Sequence, residues 1–247
     1  MKEVINAIKK YQKEIKNLEQ ELLTSPDGYL VRKKNYYYQK VGAQENSITK
    51  NPDLIRQLCR KRYAQTRVSQ LKNNILTLID DSSAIDLRNH HELIHGFSKS
   101  YQGLPISYFY HPGIEKWVKA DYKKHPYPPA KHDQVTKNGV VMRSKSELLI
   151  ASRLEDYQIP YRYEEAFLLN RKNEYPDFTI RNPFTGKFIV WEHFGALNRD
   201  GYERQMNEKM DAYLRNGYAP GDNFIYTFEF QSNNASRVQE IIENVIL

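Results

Sequence analysis

The chain has 247 residues, 40% of them hydrophobic and 27% charged, with a formal net charge of +7. It contains no apolar run near the roughly 18 residues a membrane span needs, and its start, Met1-Lys2-Glu3-Val4, moves straight into a charged pattern without a secretory signal. A single cysteine, Cys59, excludes an internal disulfide framework and a cysteine-rich zinc cluster, so the expectation is a cytoplasmic protein with one full core and a smaller appendage.

The charge is unevenly placed. Residues 1–135 carry 23 Lys+Arg against 14 Asp+Glu, whereas residues 136–247 carry 14 against 16. A basic N-terminal half, interleaved with many of the 19 tyrosines, is the footprint of a phosphate-backbone binder. The seven histidines are scattered, and the His90-His91 pair lacks one-turn helical spacing. A metal in this chain is therefore expected on oxygen ligands and not as zinc.

Val4, Ile8, Tyr11, Ile15, Leu18 and Leu22 step by four and three, the stripe of an amphipathic helix that ends near Ser25-Pro26-Asp27-Gly28. Tyr29–Arg32 and Tyr36–Gln39 flank Lys33-Lys34-Asn35 and predict a basic, tyrosine-rich hairpin. Its Arg32, Lys33, Lys34, Tyr36, Tyr38 and Lys40 are candidates for nucleic-acid contact; equally, the tyrosines can cover the neighbouring helices while the lysines keep an edge soluble. Asn51-Pro52, as N-cap and first helical residue, opens a second long helix striped by Leu54, Leu58, Val68, Leu71, Ile75 and Leu78 and running to Asp80-Asp81. The two helices are expected to pair antiparallel as an arm over 1–81. Residues 82–135 form an aromatic, proline-rich connecting region, ordered against its neighbours, whose Lys116, Lys119, Lys123, Lys124 and Lys131 suit either phosphate contact or a solvated face.

From Thr136 the pattern predicts a compact α/β domain over 136–247. Its order is a helix from Ser144 to about Gln158, strands at Tyr161–Leu169, Tyr175–Ile180 and Lys187–Phe194, a helix from about Arg199 to Asn216 closed by Gly217, a strand at Asn223–Phe230 and a last helix from Ala235 to Leu247. The fold class is thus α/β, a mixed central sheet with flanking helices, preceded by the α-helical arm with its hairpin.

Three acids mark this domain. Asp177 and Glu192 fall on adjacent strands of a predicted hairpin, where facing side chains lie close enough to share a ligand. Glu192 follows the apolar run Phe188-Ile189-Val190-Trp191, which suggests a strand buried on both faces where an unpaired carboxylate is costly. Their simpler readings are a turn residue beside Pro176 and an edge-strand charge. Two carboxylates with the backbone carbonyl of His193 would supply enough oxygens for Mg²⁺, which keeps several waters. Glu147 in Ser144-Lys145-Ser146-Glu147 fits a capping box, yet it shares a face with Ile150, Ala151 and Leu154 and can instead bind metal or water. Tyr202, Gln205, Lys209 and Tyr213 recur on one face of the following helix, so Lys209 can supply a cation or merely pair on the surface.

Pro176-Asp177, Glu192 and Glu147, in this element order, resemble the PD-(D/E)XK nuclease superfamily with its restriction-endonuclease-like fold. The similarity covers roughly Thr136 to Glu229. The motif's lysine is absent, because Phe194 stands two residues after Glu192; Trp191-Glu192-His193-Phe194-Gly195 followed by Lys209 resembles the variant that moves the lysine to the next helix. The resemblance implies a Mg²⁺-dependent endonuclease, with Mn²⁺ able to substitute, hydrolysing phosphodiesters by metal-activated water. Asp177, Glu192, the His193 carbonyl and Glu147 would hold metal, Lys209 would complete the catalytic set, and Gln205 and Tyr202 would support it. Arg143 and Lys145 join the nucleic-acid candidates. The expected partner is nucleic acid, DNA ahead of RNA, without a membrane, and with a homo-oligomer or protein partner held through the arm. The alternative is a catalytically inactive nuclease-fold protein that binds nucleic acid or serves as a subunit of a larger complex.

Overall fold

The computed structural model describes residues 2–80, 86, 88–127, 134–195, 201–229 and 234–247. Lys131, the helix start near Arg199 and the strand end at Phe230 lie outside them. The chain forms two units, Met1–His111 and Pro112–Leu247. The stretch anticipated as a connector is thus shared: 90–111 belongs to the first unit and 112–127 to the second.

In the first unit, α1 (Lys2–Leu23) and α2 (Pro52–Asp80) pair antiparallel. The direction is fixed by ion pairs: Arg60 of α2 meets Glu21, and Arg67 one heptad later meets Glu14 one heptad earlier. Asn51 caps α2 as expected, its Oδ1 accepting the Leu54 N–H at 3.1 Å. Ile15, Leu18, Ile55, Leu58, Ala64, Val68 and Leu71 are buried, whereas Leu54 of the anticipated stripe is only half-buried because Ile55 takes the inward position. The hairpin is a three-stranded meander, β1 (Tyr29–Lys33), β2 (Tyr36–Val41) and β3 (Gln44–Ser47), in that order. The third strand, Gln-Glu-Asn-Ser, has no apolar alternation to announce it; pairing with β2 alone makes it a strand. Short helices α3 (His90–His95) and a 3₁₀ turn at Ile106–Phe109 complete this unit.

In the second unit, α4 (Gly113–Lys119) and α5 (Lys145–Asp156) precede a four-stranded sheet of β4 (Tyr161–Tyr163), β7 (Phe178–Arg181), β8 (Phe188–Phe194) and β9 (Phe224–Phe228), in that order. The first two pairings are antiparallel and β8–β9 is parallel. That parallel pair needs a long crossover, which α6 (Tyr202–Arg215) provides. α7 (Ala235–Ile241) follows and ends in a π turn at Ile242–Ile246.

One predicted strand divides. Tyr161–Leu169 breaks at Glu164, whose φ is +51°; beyond it β5 (Phe167–Leu169) leaves the sheet and pairs with β6 (Lys172–Glu174). Asn170 and Arg171, at φ +50° and +65°, make the two-residue turn between them. β7 likewise starts at Phe178, three residues later than anticipated, because Pro176 offers no ladder donor.

Alternation along β8 separates two cores. Ile189 and Trp191 pack with Ile150, Ala151 and Leu154 of α5 and Val238 of α7. Val190 faces the other way, with Tyr213 of α6 and Phe224. The sheet is therefore covered on both faces, and Glu192, two residues after Val190, points to the α6 side. Among the described residues no helix is long and apolar enough to cross a membrane.

Candidate active site

Phe178 pairs with Trp191, so one step beyond the end of this ladder Asp177 lies opposite Glu192. β7 stops there, and the Asp177 side chain does what its strand no longer does: Oδ2 accepts the His193 backbone N–H at 2.6 Å. The Asp177 backbone still carries the other pairing, its carbonyl accepting the Glu164 N–H at 3.2 Å. The predicted juxtaposition of the two acids thus holds, with Asp177 at the strand's mouth and not inside it.

Glu192 is 1% exposed. Two residues one turn apart on α6 grip its carboxylate: the Lys209 ammonium donates to Oε2 at 2.7 Å and the Tyr213 hydroxyl to Oε1 at 2.7 Å. Lys209 also donates to the Tyr175 carbonyl at 3.2 Å, tying α6 to the segment that bears Asp177. Tyr202 is half-buried at the start of the same helix and Gln205 is exposed.

Glu147 takes the capping role foreseen for it, in altered form. Its backbone N–H donates to Ser144 Oγ at 3.1 Å and its Oε1 accepts the Ser144 hydroxyl at 2.8 Å. The reach-back of the capping box goes to the Arg143 N–H, at 3.1 Å on Oε2, which also accepts the Tyr163 hydroxyl. The carboxylate is buried at the start of α5, close enough for its charge to act on Asp177.

The electrostatics are unbalanced. Burial pushes the Asp177 carboxyl well above the usual carboxylate range, and the Glu192 charge adds to that, against a counterweight from Lys209. Burial raises Glu192 as well, opposed by Lys209 and by the Tyr213 hydrogen bond. For Lys209, burial favours loss of the proton, but Glu192 and Asp177 outweigh it and the ammonium is held above its ordinary pKa. Burial and the Glu192 charge push the Tyr213 phenol far up, so it remains a donor. Two carboxylates, Asp177 and Glu192, thus share one ammonium, and Glu174 of β6 adds its charge to the same neighbourhood.

This donor set suits a hard divalent cation. Among the described residues no three His, Cys, Asp or Glu side chains close into a cage; Mg²⁺ commonly needs only one or two carboxylates, with water and substrate oxygens completing its shell. Asp177 and Glu192, with the His193 carbonyl, meet that requirement chemically.

The opposite face of β8 carries a polar cluster that sequence reasoning missed. His193 Nδ1 lies 3.2 Å from Thr227 Oγ1 and its Nε2 lies 3.1 Å from Glu229 Oε2, while Ser146 Oγ donates to Glu229 Oε1 at 3.1 Å. Its members are 83 and 36 residues apart in sequence, so no local signal joins them. A Cβ at Gly195 would come 2.9 Å from Glu229 Oε2, so glycine allows this approach. A second missed signal is His91-Glu92-Leu93-Ile94-His95, two imidazoles one turn apart on α3 beside a cavity of about 490 Å³. Glu92 there is committed to the helix start, its carboxylate accepting the Asn89 N–H at 2.8 Å.

The anticipated nucleic-acid residues are less free than their charge suggests. Lys33 and Lys40 both pair with Glu45 of β3. Arg32 donates to the carbonyls of Lys34 and Gln102. Arg143 pairs with Glu164 and donates to the Tyr127 carbonyl. Lys34, Tyr36 and Lys145 are exposed and Tyr38 is half-buried beneath Lys33.

Comparison with protein-family models, with curated proteins and with solved structures finds no match to this chain.

Proposed function

We propose that the second unit is a metal-dependent nuclease, similar to the PD-(D/E)XK superfamily in the form that carries its lysine on the helix after the glutamate strand. The observation that carries this reading is the 2.7 Å contact of Lys209 with Glu192 at the point where Glu192 lies opposite Asp177. The element order, a helix, an antiparallel run of three sheet strands, a crossover helix and a parallel fourth strand, is consistent with the restriction-endonuclease-like arrangement.

In this mechanism Asp177 and Glu192, with the His193 carbonyl, would hold Mg²⁺ or Mn²⁺, which when bound supplies charge neutralisation and an acidified water. Tyr213 and Lys209 fix the Glu192 carboxylate from two sides and keep it from rotating away. Because Lys209 holds its proton, it acts as a cation beside the developing negative charge and not as a general base. Glu147, anchored by three donors, adds negative charge at the start of α5, which orients the positive end of a water or strengthens the site's hold on a cation. DNA is the proposed substrate ahead of RNA.

A second reading has its own observation. Glu192 and Glu147 spend their oxygens on internal donors, as acids of a structural ion pair do, which fits a nuclease-fold protein that binds nucleic acid without cleaving it. Incubation of plasmid and end-labelled single-stranded DNA in Mg²⁺ or Mn²⁺, beside EDTA and beside Asp177→Ala, separates the two. Metal-dependent cleavage that disappears in the variant supports the nuclease; salt-sensitive binding with no cleavage supports the binder.

A further inference from the structure

The first unit holds a cavity of about 470 Å³ bounded by the first residues of β1, by Leu58, Lys61, Arg62 and Gln65 of α2, and by Ser98, Ser100 and Tyr101. Its size is that of a small-ligand site. Spacing by three and four puts the α2 residues on one face of that helix. Among the described residues no acidic side chain lines the cavity.

Two features make it a candidate for a phosphate. The first is a contrast along α2. Arg56 pairs with Asp53, Arg60 with Glu21 and Arg67 with Glu14, whereas among the described residues Arg62 meets no carboxylate and rests its guanidinium over the Phe97 ring, 5.5 Å from the centroid. A planar fork of donors supported on an aromatic and left without an acid is suited to a phosphate's oxygens. The second is the lining beside it. Lys61 Nζ is anchored by the carbonyls of Pro26 at 2.8 Å and Gly28 at 3.2 Å, which leaves its third N–H. Tyr101 and Ser100 accept the outward N–H groups of Leu30 and Arg32 at 3.3 and 3.2 Å, so both hydroxyls keep a proton to donate. Leu30 and Leu58 are buried beneath, and Tyr29, half exposed, offers a ring on which a base can stack.

We infer that this cavity is a phosphate site, taking a phosphodiester of single-stranded nucleic acid with Arg62 as its principal cation and Lys61 behind it. The inference extends the nucleic-acid reading above but not its chemistry, and it moves the basic contact from the Lys33 and Lys40 ribbon to α2. Because Arg62 is exposed, its substitution should leave the unit folded.

The test is fluorescence anisotropy of a labelled oligothymidylate with the full chain in EDTA, over a range of salt. Arg62→Glu is expected to weaken binding at least about 10-fold and to lower the salt slope by about one or two. Arg62→Lys should keep most of the affinity. Unchanged binding by Arg62→Glu, or no binding by the wild type, overturns the inference. Competition by thymidine monophosphate or inorganic phosphate only in large excess supports the polymer as ligand; competition at concentrations near that of the oligonucleotide overturns the polymer and points to a free phosphate compound. Arg62-dependent binding in a protein that cleaves nothing in Mg²⁺ would leave this site standing and sink the nuclease alone.

Discussion

The two units treat charge in opposite ways. Between the two helices of the first unit, three cations each meet one carboxylate: Arg60 on Glu21, Arg67 on Glu14, Lys72 on Glu19. At the end of the sheet in the second unit, Asp177 and Glu192 both act on Lys209, and the two acids are pushed upward by burial and, for Asp177, by its neighbour's charge. Balanced pairs give a helix its partner and register. An unbalanced cluster costs stability and persists where a ligand or a reaction uses it.

The sharpest way to break this contrast is Asp177→Asn. Cleavage is expected to fall about 10³-fold, while the variant melts at a higher temperature than the wild type near pH 7.5. The sign follows from the raised carboxyl: the folded protein binds its proton more tightly than the unfolded chain, whose value is about 3.9, so stability is full below that value and declines as pH rises through the folded one. The thermal gain should therefore vanish at pH 4. A lower melting temperature at neutral pH would show Asp177 to be a balanced structural acid.

Lys209→Met should cost about 10²-fold in rate and also destabilise, by on the order of 3 kcal/mol, because Glu192 is left buried without its cation. Glu21→Gln, in the first unit, should destabilise by a similar order, since it strands the buried Arg60, yet leave the cleavage rate per folded molecule unchanged. Denaturant melts run beside cleavage assays read both; equal loss of rate in the two variants would erase the distinction between the units.

Tyr213→Phe removes one of the two donors on Glu192. About 1–2 kcal/mol of stability should go with it, and the acid limb of the pH–rate profile should move to higher pH, because Glu192 loses a bond that favours its charged form. The smallest effect is expected at Glu45→Gln. Releasing Lys33 and Lys40 should tighten single-stranded DNA binding only about two- to threefold at low salt, because exposed charges interact weakly through water.

Much of the architecture was legible in the residues themselves. The Asn51-Pro52 helix start, the Ser144 cap and the Gly217 stop carry their own local chemistry, and each stands where it was read. The apolar run before Glu192 announced a strand covered on both faces. So were the acids and Lys209, because a four-residue helical step and a two-strand hairpin fix which side chains share a face. What local pattern cannot carry is which surfaces meet. A strand of Gln-Glu-Asn-Ser exists only because β2 lies beside it, and Glu164 ends a strand through a backbone angle no propensity forecasts. The same holds for the site's balance. The hairpin pattern offered Lys33 and Lys40 as nucleic-acid contacts or edge charges and left Arg62 unremarked; tertiary structure brought Glu45 to the first two and, among the described residues, no carboxylate to the third. Charges are written in the chain, but whether each is neutralised depends on neighbours tens of residues away, and the fold alone decides that.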